Sequence, residues 1–162
     1  MNALEKISLI LNRVMIWIGG FFLIAMIMLT CANIFLRLVW VPVKGTYELM
    51  GFFGAVATAF ALGYTQIKKG HISVDILVLS FSKKTRRMLN VINSLICMAF
   101  FAFVSWQIAK YAGVLWSTGE VTQTLRIIYY PFIYAVSAGC GVLALTFLVE
   151  LFKSIISGKE GE

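Results

Sequence analysis

Four long stretches of the chain carry no charged residue, and polar and basic residues gather between them: 14–36, 49–67, 88–109 and 127–149. An α-helix rises about 1.5 Å per residue, so each stretch can cross a hydrocarbon core about 30 Å thick. The first stretch is longer than the apolar core of a cleavable signal sequence and lacks a small-residue cleavage site. The pattern therefore predicts four retained transmembrane helices.

The composition agrees with this pattern. Hydrophobic residues make up 60% of the 162 residues and charged residues only 13%, whereas soluble domains are about 25% charged. The net charge of +7 comes from basic residues at the ends of apolar stretches, not from a stripe along a polar face. This distribution is typical of topology signals facing membrane lipid and argues against a nucleic-acid partner. We expect an all-α integral membrane protein with one membrane domain, 1–162.

The basic residues also predict the orientation. Six of the fourteen Lys and Arg residues lie in the segment 68–87, between the second and third spans. Together with those near the two termini they make ten on one side, against four in the other two loops. Because Lys and Arg are enriched in cytoplasmic loops, both termini are predicted to be cytoplasmic.

The segment 71–85 is predicted to form a short amphipathic interfacial helix between helices 2 and 3. Its apolar centre, 72–81, is only about half as long as a transmembrane span, and basic residues flank it. Asp75 would cap this helix. His71 is the only histidine and cannot by itself supply paired haem ligands or a zinc site, so a structural hydrogen-bonding role is expected.

Small residues line the predicted second helix, and bulky ones line the third. Ala55, Ala59 and Gly63 recur every fourth position of the second helix, which lets another helix backbone approach closely. An aqueous path would instead require polar or ionisable companions. The third helix is expected to face lipid or a large partner with these aromatic residues: Phe100, Phe101, Phe103 and Trp106.

Two features at the outer side each leave two interpretations open. Arg37, at the end of the first helix, either extends to the lipid headgroups or pairs with Glu48 at the start of the second. The polar stretch 119–124, which contains Glu120, either docks a soluble protein or is an ordinary solvated loop.

Several kinds of chemistry are missing from the sequence. No Asp, Glu, Lys, Arg or His lies within a predicted span, and proton relays and ion paths normally use such residues. Cys31, Cys97 and Cys140 lie inside predicted spans without a matched depth or a CxxC motif, so neither a disulfide framework nor a metal site is expected. There is no phosphate-binding loop. We expect no catalytic residue and no cofactor, and a small membrane subunit whose surfaces imply a partner.

The chain resembles the DctQ-like small permease (Q) subunit of tripartite ATP-independent periplasmic transporters, or TRAP transporters. The resemblance rests on Asn33 to Arg37, Glu48, the G-H-I-x-V-D hexamer at 70–75, and Gly119 with Thr124-Leu125. Their order, the chain length and the topology match together. The sequence departs from the family pattern at two places. Members often have a Trp before the acidic residue, where this chain has Gly45, Thr46 and Tyr47, and they often have a proline where this chain has Ile128.

The resemblance implies a function in secondary active transport. Such subunits pair with a large permease (M) subunit, which carries the sodium and substrate sites and moves as an elevator, and they brace its static scaffold. A periplasmic binding protein delivers an organic anion, by default a carboxylate and otherwise a sulfonate, across a bacterial or archaeal inner membrane. Carried to this sequence, Arg37 and Glu48 belong to the outer interface, His71 and Asp75 order the cytoplasmic segment, and Glu120 lies where the binding protein would make contact.

The main alternative is an autonomous four-helix carrier that works as a homodimer, in the manner of small multidrug resistance proteins. Such carriers need a glutamate inside the first membrane helix, and 14–36 has none. A haem-binding membrane anchor would need histidines in its spans, and His71 lies outside them.

Overall fold

The computed structural model describes residues 2–68 and 83–156, which form four α-helices: α1 (Asn2–Val39), α2 (Thr46–Ile67), α3 (Lys83–Thr118) and α4 (Tyr130–Ile156). All four are long and apolar enough to cross a membrane. The predicted all-α fold with four spanning helices is confirmed. Most of the predicted interfacial helix, 71–82, lies outside the described residues, and 83–85 belong to the start of α3. The cytoplasmic location of the termini stays a prediction.

Two helices are longer than the apolar stretches that predicted them. With 38 and 36 residues, α1 and α3 extend about 57 and 54 Å. Residues 2–13, which precede the first charge-free stretch, are the first turns of α1. Ser8 and Asn12 of these turns are buried, so this segment packs against the other helices of the bundle.

The third helix continues past Lys110, where the charge-free stretch ends, and stops at Thr118. Gly119 follows with a left-handed φ of 64°. Its N–H donates to the Trp116 carbonyl at 3.3 Å, and the Glu120 N–H donates to the Leu115 carbonyl at 3.4 Å. These are the two bonds of a Schellman motif, which ends a helix at glycine. A backbone signal, not a change in hydropathy, therefore sets the end of α3.

The fourth helix is the centre of the bundle. It packs along both α2 and α3 and meets α1 over a shorter stretch, while α2 also packs along α1. Half of the buried hydrophobic residues belong to it: Cys140, Val142, Leu143, Ala144 and Phe147. Helices α1 and α3 therefore form the flanks of the bundle and expose large apolar faces.

Small residues of α2 let neighbouring helices approach closely, as predicted for Ala59 and Gly63. A Cβ added to Gly139 of α4 would lie 2.8 Å from the Ala59 carbonyl oxygen, which is too close for any side chain. A Cβ on Gly63 would collide with Asn12 of α1. Ala55 is exposed, so the packing face includes only part of the predicted small-residue series.

Polar side chains join the helices inside the apolar bundle. Ser105 of α3 and Ser137 of α4 each donate a hydroxyl to the other's backbone carbonyl, both at 2.8 Å. At the level of Ser8, the Asn12 amide donates to the Ser8 carbonyl at 2.8 Å and to the Thr146 hydroxyl at 3.0 Å. Because hydrocarbon offers no partner for these groups, such bonds tie the helices together.

The same end of the bundle carries two further polar links to α4. Gln66 of α2 donates to the Glu150 carboxylate at 2.9 Å, and Lys153 forms a salt bridge with Glu5 of α1. The N-terminal end of α1 and the C-terminal end of α2 are therefore both bound to α4.

We expect the contact between α2 and α4 to be sensitive to a single methyl group. Gly139→Ala places a Cβ against backbone atoms of Ala59 that cannot rotate away, and should destabilise the protein by about 1–3 kcal/mol. Thermal unfolding in detergent measures this loss. The control is Gly51→Ala, because no atom lies within 4 Å of the added methyl group there. Equal stability of the two variants would contradict the close contact.

Candidate functional site

Two loops meet beside the start of α2, at the end of the bundle that the sequence predicts to face outward and that we call the outer end. The first loop, 40–45, joins α1 to α2, and the second, 119–129, joins α3 to α4. We call these two segments together the outer loops. They contain or adjoin the candidate residues Glu120, Glu48 and Arg37.

Glu48, in the first turn of α2, binds the backbone of the second outer loop. One carboxylate oxygen accepts the Thr124 N–H at 2.7 Å, and the other accepts the Leu125 N–H at 3.1 Å. Two consecutive N–H groups facing one carboxylate form a small anion-binding concavity, and hydrogen bonds to an ionised group are stronger than neutral ones. Glu48 therefore holds the loop segment that leads into α4 against the start of α2.

Gly45 also contributes to the contact between the two outer loops, because it has no side chain. Its φ of 72° lies in the left-handed region that favours glycine, and an added Cβ would collide with the Leu125 side chain. Leu125 thus packs over Gly45 while its N–H binds Glu48. The two contacts lock the two outer loops together.

The second outer loop has a defined internal structure. Val121 and Ile128 form an isolated antiparallel bridge. Thr122, which is buried, donates its N–H to the Ile127 carbonyl at 3.0 Å and accepts the Arg126 N–H at its own carbonyl at 3.2 Å. Arg126 has a φ of 52°, an uncommon conformation for a side-chain-bearing residue that persists only where surrounding bonds hold it. The loop is therefore held in one shape.

The outward surface of this loop is polar. Glu120, Gln123, Thr124 and Arg126 are all exposed. Partial burial, followed by a hydrogen bond to Glu120 and by its negative charge, raises the pKa of Tyr129 to about 12. The phenol therefore stays protonated, and the Glu120 carboxylate lies beside it at the surface.

The structure separates Arg37 from Glu48. Both oxygens of Glu48 accept backbone N–H groups, and the ion pair found within 2–68 and 83–156 is that of Glu5 with Lys153. Arg37 is exposed in the last turn of α1, as expected for a side chain that extends to headgroups. The proposed pairing with Glu48 is therefore not formed. His71 and Asp75 lie outside the described residues.

Two sites at the outer end, the Asn33 side chain and the consecutive N–H groups of Thr124 and Leu125, have functions that the sequence did not assign to them. Asn33 accepts the Val43 N–H at 2.9 Å and so holds the first outer loop against α1. Thr124 and Leu125 contribute backbone N–H groups, which have no side-chain signature. Both positions belong to the family-like motifs, and that is the signal by which they could have been found.

The grouping of acidic, histidine and cysteine side chains is a further feature relevant to the site. No group of three or more His, Cys, Asp or Glu side chains able to hold a metal ion occurs among the residues that the structure describes. Cys31, Cys97 and Cys140 are free thiols. What the outer end offers is a polar surface whose shape is held by backbone hydrogen bonds.

Glu48→Gln should loosen the second outer loop. The glutamine amide can accept at its oxygen only, so one of the two loop N–H groups loses its partner. Trypsin should then cut after Arg126 several-fold faster. Mass spectrometry of the fragment that begins at Ile127 measures the rate of this cleavage. Tyr47→Phe is the matched control, because Tyr47 is 82% exposed on the same first turn. An unchanged cleavage rate in Glu48→Gln would contradict the role of Glu48 in holding the second outer loop.

Comparison with known proteins assigns this architecture to a family. A model described as "Tripartite ATP-independent periplasmic transporters, DctQ component" matches residues 26–156, from within α1 to the end of α4. No curated protein and no solved structure matches the chain. The chain therefore belongs to the DctQ family, the small permease component of TRAP transporters.

Proposed function

We propose that the protein is the small membrane subunit of a sodium-coupled, binding-protein-dependent TRAP transporter that imports a small organic anion, a carboxylate or a sulfonate. It braces the scaffold of a large elevator-type permease subunit in the inner membrane, with both termini in the cytoplasm. The observation that carries this proposal is the family match over residues 26–156.

The interior of the bundle supports an accessory role. Its buried polar groups among the described residues are hydroxyls and one carboxamide: Ser8, Asn12, Thr46, Ser94, Thr122, Ser137 and Thr146. A path for sodium or an anion through a membrane normally needs ionisable residues facing a cavity. Sodium and substrate are accordingly proposed to bind on the large partner subunit.

The rigid construction of the helices supports the bracing role. Reciprocal serine bonds hold α3 on α4, and the cluster around Asn12 and Thr146 holds α1 on α4. A scaffold must keep its shape while the neighbouring subunit moves. His71 and Asp75, in the segment before α3, are proposed to order the cytoplasmic side of the same scaffold.

The outer loops are proposed to help dock the periplasmic binding protein. The hydrogen bonds to the Glu48 carboxylate and the internal bonds of the second outer loop hold Glu120 and Arg126 on a surface of fixed shape. Docking to a preorganised surface costs less conformational entropy than docking to a mobile loop.

A pull-down from native membranes tests the assignment. The chain, tagged at its C-terminus and solubilised in mild detergent, should bring a large polytopic membrane protein with it in comparable amount, identified by mass spectrometry. A tagged unrelated four-helix protein of the same membrane is the control. Recovery of the chain alone as a homodimer would overturn the accessory role and favour the autonomous carrier.

The docking role predicts a separate effect of charge at the second outer loop. In proteoliposomes that contain the purified complex, Glu120→Lys should weaken the apparent affinity for the binding protein about threefold to tenfold, because rim charges steer association. Gln123→Lys, a neighbouring exposed change to the same residue type, is the control for nonspecific charge effects. Identical uptake curves for Glu120→Lys and the unmodified complex would count against docking at this loop.

A further inference from the structure

Helix α3 exposes most of its circumference because it packs along α4 alone. Its buried residues, Ser94, Ala112 and Leu115, all face that neighbour. The opposite face consists of exposed residues spaced three or four apart, as one face of a helix requires: Ile96, Phe100, Phe103, Gln107, Lys110 and Val114. We call these six residues the free face of α3.

Gln107 lies near the middle of the hydrophobic layer. Ser105 of α3 is level with Ser137 of α4 through their reciprocal bonds. Gly139, half a turn further along α4, contacts Ala59 near the midpoint of α2. Because α3 and α4 run antiparallel, Gln107 is within about a turn of this level, far from either aqueous surface.

The Gln107 carboxamide is exposed and has no hydrogen-bond partner among the described residues. Hydrocarbon cannot satisfy its two N–H groups and its carbonyl, and a glutamine near the midplane is too short to reach the headgroups. Lys110, one turn further out on the same face, has its ammonium 5.7 Å from the centre of the Trp106 ring. No ion pair joins it to any residue that the structure describes. Lipid is therefore a poor match for this face.

The outward face of α1 differs from the free face of α3 in the polarity of its central residues. Trp17, Phe21, Ile24 and Met28 form its stripe, and their exposed fractions are 77%, 68%, 62% and 66%. All four are apolar. The polar residue Thr30 of this helix is satisfied internally, since its hydroxyl donates to the Met26 carbonyl at 2.7 Å. Arg13, four residues before Trp17 on the same face, is exposed as well. The α1 stripe therefore differs from the free face of α3 in presenting no unpartnered carboxamide, not in lacking a charge.

We propose that the free face of α3, and not the outward face of α1, is the surface that binds a transmembrane helix of the large partner subunit. That helix presents a hydrogen-bond acceptor or carboxamide to Gln107 and an acidic or carbonyl oxygen to Lys110. Phe100 and Phe103 are the bulky anchors beside these polar contacts. The proposal rests on the proposed function, because it assigns a surface to the partner inferred there.

Site-specific photo-crosslinking distinguishes the two faces in the assembled complex. Benzophenone-phenylalanine replaces Phe100 or Phe103 on α3, and Phe21 or Met28 on α1, and adducts are identified after irradiation in native membranes. The α3 positions should give adducts with the large subunit and the α1 positions should not. Adducts from α1 alone would overturn the proposal, as would adducts between two copies of this chain from α3. If the unmodified chain fails to recover any large subunit, the proposed function fails first.

Substitution of Gln107 adds a quantitative test. Gln107→Leu should lower recovery of the large subunit about threefold, the effect of losing one typical interhelical hydrogen bond, while Gln107→Asn should restore part of it. Gln123→Leu, the same exchange in the exposed second outer loop, is the matched control and should leave recovery unchanged. Full recovery with Gln107→Leu would overturn the polar contact at this face.

Discussion

The absence of water in the bilayer is the constraint on which this structure depends. A buried hydroxyl, carboxamide or carboxylate must find its partner within the protein, because lipid supplies none. Helix α4 supplies most of these partners: Ser137 for Ser105 of α3, Thr146 for Asn12 of α1, and Glu150 for Gln66 of α2. Its small residue Gly139 lets α2 approach closely enough for the remaining contacts to be made by van der Waals packing.

The outer end follows a different rule because water is available there. Glu48 binds backbone N–H groups and not a cation, and this choice has a structural consequence. A surface ion pair with Arg37 would join two flexible side chains and contribute little. A carboxylate held by two consecutive N–H groups instead fixes the path of the main chain, and with it the position of every exposed side chain on the second outer loop.

The sequence predicted those parts of the fold that depend on hydropathy. Four charge-free stretches predicted four helices, and the repeat of small residues predicted the contact surface at Ala59 and Gly63. It could not predict the continuation of α1 back to Asn2, because that depends on the burial of Ser8 and Asn12 by α4. Nor could it predict the end of α3, which the backbone geometry at Gly119 determines. The candidate pairing of Glu48 with Arg37 failed for a similar reason: opposite charges are visible in a sequence, whereas the N–H groups of Thr124 and Leu125 are common to every residue.

The few unsatisfied polar groups carry the most information about what lies outside the chain. Asn12 leaves its carbonyl oxygen without a hydrogen bond, yet Gly63 fills the space in front of it, so nothing more can bind there. Gln107 is the reverse case. Its carboxamide is exposed near the middle of the hydrophobic layer, where hydrocarbon offers it no hydrogen bond. A chain selected to fold alone would carry an apolar residue at this position, as α1 does at Trp17, Phe21, Ile24 and Met28. The difference between the two flanking helices is thus the one expected if lipid lies beside α1 and, as we propose, protein lies beside α3.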